Sequence, residues 1–247
     1  MLLRSLVVSL CTIFPTMMQS QNFSFGTAIV VLRTSDAIYV AADSKIVTPS
    51  TPTTECKIRF EGEAGYAMAG IFAESSSDFD LIRIVQKVCS TNKSLTEKFV
   101  DLENTIRGPL ISAMNKIYHH PSSPPLDHLG AQVALFGFVE KTPYVYRLTF
   151  DAIANGSDIT DVRIKRMIIP DDKNNEPFAL IFLAQSQDVI ETLSSARSSF
   201  KDWREALSHM IQLAIEKNPD SVGPPVDIVE MRSEGRKWLQ KKAGCPE

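Results

Sequence analysis

Cysteine and histidine are scarce in this chain, four of each in 247 residues. Cys11 falls in an apolar start, which leaves Cys56, Cys89 and Cys245, an odd set at no metal-ligand spacing. One disulfide would fit among them without the sequence assigning its partners, and buried free thiols are the plainer reading. The histidine grouping, His119-His120 with His128, borders a proline-rich loop and reads as exposed polar surface, so neither a metal nor another cofactor is expected. The sequence also lacks a Gly-x-Ser-x-Gly elbow, a His-Glu-x-x-His pair, a phosphate loop and a dinucleotide fingerprint. Those absences argue against the serine-elbow hydrolases, zinc peptidases and nucleotide-dependent enzymes that carry them. A net charge of −3 provides no basic field, so nucleic acid is not an expected partner. No repeat, linker or block of like charge divides the chain, and 44% hydrophobic residues suffice for one sizeable core.

What is present begins with a leader. Met1-Leu2-Leu3-Arg4 is a short positive start, and Ser5 to Met18 is almost wholly apolar. This is the pattern of a secretory signal, and with Pro15 inside it the stretch is too short for a membrane-spanning helix. The expectation is a signal over residues 1–20, a short propeptide over 21–26 and a single domain over 27–247. Export to the periplasm or beyond follows; the alternative is membrane anchoring through an uncleaved signal.

Thr27–Thr34 and Ala37–Ala42 read as paired strands around a Ser35-Asp36 corner, and Lys57–Phe60 and Tyr66–Phe72 as two more. Phe79, Ile82, Val85 and Val88 share one helical face, and Ser94-Leu95-Thr96-Glu97 is a capping box opening a second helix that Gly108-Pro109 interrupts or kinks. Strands are expected at about 131–139, 144–152 and 162–168, with an apolar run at Phe178–Leu183. Helices follow at Asp188–Phe200 and Trp203–Glu216, the latter with Trp203, Leu207, Met210 and Ala214 on one face. Val226–Met231 closes as a strand and 233–242 as a short basic helix. This order predicts an α+β fold, a four-layer αββα sandwich of two mostly antiparallel sheets between helix layers.

Two features do not fit a plain hairpin. The first strand opens on the small pair Gly26-Thr27, and the second ends Ala41-Ala42-Asp43-Ser44-Lys45, with an acid where apolar strand is expected. Together with Lys57-Ile58 opening the third strand and Met68-Ala69-Gly70 in the fourth, they resemble the catalytic beta subunits of the proteasome and their bacterial relatives. Those are N-terminal-nucleophile hydrolases whose mature first residue is a threonine freed by self-cleavage after glycine. The resemblance covers residues 26–90 and implies the αββα fold, no cofactor, and a threonine-type hydrolase of peptide or amide bonds after cleavage at Gly26-Thr27. It makes Thr27 the nucleophile, Lys57 the ammonium that lowers the proton affinity of the site, Asp43 its partner and the Gly70 N–H the oxyanion donor. Ser186, Asp220 and Ser221 stand where the family places supporting residues, and Ile46, Met68 and Phe72 where it shapes the substrate pocket. Assembly into a homo-oligomeric ring is implied by analogy, without an unfoldase if the protein is exported. The competing reading is a noncatalytic member of the fold, acting as a scaffold, ring subunit or secreted binding protein.

The chemistry needs these residue types. A threonine hydroxyl is a weak nucleophile until a base takes its proton, and a freed α-amine on the same residue is basic near neutral pH. A nearby ammonium lowers that amine's proton affinity, and an N–H aimed at the developing oxyanion is worth about 3 kcal/mol.

Overall fold

The computed structural model describes residues 27–47, 53–121, 123–171, 178–184 and 202–245. In chain order the strands begin with β1 (Ala28–Arg33), β2 (Ala37–Asp43), β3 (Lys45–Ile46) and β4 (Thr53–Thr54). They continue with β5 (Ile58–Glu61), β6 (Ala64–Gly70), β7 (Ala73–Glu74) and β8 (Phe79–Asp80). Two helices follow, α1 (Leu81–Cys89) and α2 (Leu95–Tyr118), then β9 (Gly130–Val139), β10 (Thr142–Asn155), β11 (Asp158–Ile169) and β12 (Ala179–Ala184). The chain ends in α3 (Trp203–Lys217), β13 (Val226–Arg232) and β14 (Gly235–Gln240). The architecture is α+β, with two five-stranded antiparallel sheets ordered β12-β1-β2-β13-β14 and β11-β10-β9-β6-β5.

The unbroken apolar run of β1 and β2 has a simple cause: both faces of the hairpin are covered. Val30, Leu32, Tyr39 and Ala41 pack toward Leu207 and Ile211 of α3. Ile29, Val31, Ile38 and Val40 pack the other way, against Ala67, Ala134 and Phe136 of the second sheet. Those four are at most 1% exposed, and burial of each stabilises the fold by about 1.5–3 kcal/mol. On its far side the second sheet buries Tyr66, Met68, Val133 and Leu135 against α1 and α2. The hairpin corner is closed by Thr34, whose hydroxyl accepts from the Ala37 N–H at 3.0 Å and donates to Asp36 at 3.0 Å.

Several elements differ from their sequence expectation. Of the two outcomes expected at Pro109, interruption or kink, the interruption does not occur: α2 runs 24 residues from its Ser94–Glu97 capping box. The proline lies on the exposed face, where water can serve the carbonyl it leaves unpaired, while Leu102, Ile106 and Leu110 hold the buried face. Residues 233–242 do not form a basic helix. Gly235–Gln240 pairs with β13, and Trp238 stacks edge-on against Phe60 (6.0 Å), so pairing and packing override the helix-forming composition. Trp203 was expected in the buried stripe of α3 but is 40% exposed, leaning on Phe178 at the helix start. The preference for free thiols holds for buried Cys89, whose pKa burial pushes up to about 12, and fails for the other two. Cys56 and Cys245 are joined in a disulfide. The expected helix at Asp188–Phe200 and the leader lie outside the described residues. Among the described residues no helix is long and apolar enough to cross a membrane.

Candidate active site

The β1–β2 hairpin carries Thr27, immediately before β1, to the level of Asp43 at the end of β2, since Ile29 stands opposite Ala42. β13 flanks β2 on its other side with Val226 opposite Asp43. Asp43 is therefore an acid on a central strand, and its side chain is fully buried. A buried carboxylate is tolerated only when paired and saturated with donors, and Asp43 has four. Its Oδ1 accepts from Lys57 Nζ at 2.7 Å and from the Ala28 N–H at 2.8 Å. Its Oδ2 accepts from the N–H groups of Lys45 and Gly223, both at 3.1 Å.

Lys57 comes from the second sheet, just ahead of β5, and is 1% exposed. Its ammonium also donates to the Lys45 carbonyl at 2.7 Å, so two acceptors fix its position between the sheets. Burial lowers the Lys57 pKa to about 8; the charge and hydrogen bond of Asp43 oppose that shift, and the Lys242 charge adds to it. One carboxylate oxygen thus carries both the lysine ammonium and the N–H of the residue that follows Thr27. Thr27 itself is fully buried. In the uncut chain its nitrogen belongs to the peptide bond with Gly26, which lies outside the described residues.

Gly70 closes β6 with φ +91°, a conformation that side-chain-bearing residues rarely adopt. A Cβ there would lie 2.2 Å from the Gly130 carbonyl oxygen, so close approach of two strand ends also demands glycine. Ile46, Met68 and Phe72 are 6%, 0% and 4% exposed and belong to one apolar cluster with α1 and α2.

The structure thus gathers Asp43 and Lys57, with Thr27 one residue from the shared oxygen. It places the other expected residues differently. Asp220 is exposed and Ser221 half-buried in the turn after α3, where the Asn218 carbonyl accepts from the Ser221 N–H. Their segment reaches Asp43 through Gly223, whose N–H donates to the carboxylate and whose carbonyl accepts from the Ser44 N–H at 3.2 Å. Any Cβ on Gly223 would meet the Lys45 side chain at 2.9 Å. Ser186 lies outside the described residues. Sequence reasoning passed over Gly223 and also Asp227, a 1% exposed carboxylate that accepts from Ser44 Oγ at 3.3 Å. Its signal was the same as that of Asp43, a lone acid inside the apolar strand Val226-Asp227-Ile228-Val229. Among the described residues no group of three His, Cys, Asp or Glu side chains could hold a metal.

No family model matches this chain, and no curated protein matches it. Solved structures do. Anbu (ancestral beta-subunit) from Yersinia bercovieri is 14% identical with a TM-score of 0.54, the alignment covering 88% of each chain. An Anbu Gly-1 mutant from Hyphomicrobium sp. strain MC1 is 14% identical with a TM-score of 0.53, covering 90% of this chain and 88% of its own. The resemblance to catalytic proteasome beta subunits is corrected by these neighbours, which are proteasome-like but form a distinct bacterial family. At this identity the likeness extends to the fold alone, and the fold of this chain is proteasome-like.

Proposed function

We propose that the protein is a threonine-type hydrolase of peptide or amide bonds, active once the Gly26–Thr27 bond has been cut. The observation that carries this reading is the buried Asp43–Lys57 pair, whose shared oxygen also holds the Ala28 N–H next to Thr27. A lysine brought fully inside a protein is costly, and a surface charge or a strand end would not require it. Close to a threonine nucleophile, it has a use.

The steps follow from the groups at hand. The freed Thr27 amine, neutral near pH 7–8, takes the proton of Oγ1 as that oxygen attacks the substrate carbonyl. The Lys57 ammonium keeps the amine's proton affinity low, and Asp43 holds the lysine in place. The Gly70 N–H receives the oxyanion. The protonated amine then passes its proton to the leaving amine, and water cleaves the Thr27 ester to restore the hydroxyl. Ile46, Met68 and Phe72 would shape the pocket for a substrate side chain. Asp220 and Ser221 enter none of these steps.

The same reading takes residues 1–20 as an export signal, 21–26 as a propeptide and 27–247 as one four-layer αββα domain. Likeness to Anbu, an ancestral beta-subunit, supports assembly into a ring of identical subunits. Full burial of Thr27 favours one second reading, a noncatalytic scaffold whose threonine is never released. Thr27→Ala and Thr27→Ser separate the two in an assay on a mixed library of peptidyl amides, with circular dichroism as the check on folding. Loss of hydrolysis to background in the alanine variant, with partial retention in the serine variant, supports the hydrolase. Hydrolysis by Thr27→Ala at the wild-type rate overturns it.

A further inference from the structure

Behind the Asp43–Lys57 pair the protein closes on its own C-terminal segment. Cys56, the residue before Lys57, is bonded to Cys245 across 189 positions of sequence, with Cα atoms 5.6 Å apart. Within the same segment, the Lys242 N–H donates to Asp227 Oδ1 at 2.7 Å. The other oxygen of Asp227 accepts from the hydroxyl of Ser44, the residue after Asp43. Residues 242–245 therefore act on both chain neighbours of the pair, on Lys57 through Cys56 and on Asp43 through Asp227 and Ser44. Lys242 also adds a positive charge near Lys57, opposite in effect to Asp43. The mechanism above uses none of these contacts.

We propose that Cys56–Cys245 is a thiol–disulfide switch that seats Lys57 on Asp43 when oxidised and releases it when reduced. A small dithiol supplies the reducing equivalents. Its thiolate attacks one protein sulfur, the other leaves as a thiolate and takes a proton, and the second dithiol sulfur then displaces the first protein thiol. Two cysteine thiols form, and the dithiol becomes a cyclic disulfide. Exchange with a small disulfide such as oxidised glutathione runs the sequence in reverse. Opening the bond removes the covalent tether at Cys56, one peptide from Lys57, leaving the Cys56 carbonyl held by Arg59 Nε at 3.0 Å and the C-terminal segment held by the Lys242–Asp227 hydrogen bond. The half-cystines are 8% and 7% exposed, so exchange proceeds through a small local opening rather than through global unfolding.

Control of hydrolysis by this switch rests on the hydrolase reading; the seating of Lys57 does not. The test therefore follows lysine acetylation by a small amine-reactive ester, quantified by mass spectrometry, alongside hydrolysis. Full-length oxidised protein, the same protein in excess dithiothreitol, and Cys245→Ser are compared, with exposed Lys87 as the internal reference and Lys98, 9% exposed in α2, as the monitor of global unfolding. The expected result is acetylation of Lys57 faster by about ten-fold or more in both opened forms, with Lys98 unchanged. Oxidised glutathione should restore protection in the wild type and not in Cys245→Ser. Lys57 rates within about two-fold of the oxidised protein overturn the proposal, and so does equal acceleration at Lys98, which would make the bond a staple of the whole fold. Should the serine variant not fold, the reduced wild type decides alone. A chain without hydrolytic activity in every state refutes the hydrolase and leaves the acetylation result to decide the switch.

Discussion

Replacing Asp43 by Asn tests the account at its most constrained atom. The carboxylate serves two donors on each side, Lys57 and Ala28 at Oδ1, Lys45 and Gly223 at Oδ2. An amide can accept on one side only. Whichever way it turns, its NH2 group faces two donors that lose their partner, in a site with no solvent exposure. Each buried orphan costs about 1–3 kcal/mol, and breaking a buried ion pair by removing one partner costs about 3–5 kcal/mol. The expected loss for Asp43→Asn is therefore about 3–5 kcal/mol, read from urea unfolding of the full-length chain at pH 7. Lys57→Met leaves the carboxylate its three backbone N–H groups but no counter-charge, and should also cost about 3–5 kcal/mol. Because the two residues share one interaction, the double variant should fall short of the sum by about 2 kcal/mol. A loss below about 1 kcal/mol for Asp43→Asn, or strict additivity in the double variant, would refute the reasoning.

Three further outcomes follow from the same geometry. Gly70→Ala should lower the unfolding free energy by about 2–4 kcal/mol, because its Cβ has no room beside Gly130 and φ +91° disfavours any side chain; an unchanged thermal midpoint would contradict this. Hydrolysis should fall as pH rises through about 8, because the lysine works as an ammonium and burial has brought its pKa down to there; Lys57→Arg, which stays charged, should lack that alkaline decline in a pH–rate profile. Stability should move the opposite way over the same range. Unfolded lysine binds its proton more tightly than folded Lys57, so stability rises between pH 8 and the ordinary lysine value of 10.5, and this rise should vanish in Lys57→Met when unfolding is followed against pH.

Much of the site was legible because local chemistry and fold agree there. The acid ending the apolar run of β2 stood out as a misfit, whereas Lys57 reads by itself as a solvated strand-end charge and entered only through the family resemblance; the structure joins the two in one buried pair. Asp227 is the same kind of misfit as Asp43, and only the pairing of β13 with β2 brings it beside Ser44. The Cys56–Cys245 bond had no local signal, since its partners are 189 positions apart and only the closing of β14 against β13 brings the C-terminal segment back. That strand was itself misread, because Arg236, Lys237 and Leu239 favour a helix until a sheet edge and Phe60 are available to Trp238. Within α2 the reverse holds: composition leaves an interruption or a kink open at Pro109, and a buried stripe of leucine and isoleucine carries the helix through without interruption. Long-range pairing decides such cases, and a single sequence does not display it.

In the proposed mechanism hydrolysis depends on a free amine at Thr27. Terminal sequencing and intact mass of the hydrolytically active fraction test it most directly. That fraction should begin at Thr27, and the Thr27→Ala chain should keep residue 26 attached. An active fraction still carrying residues 21–26, or beginning at any other position, would contradict it.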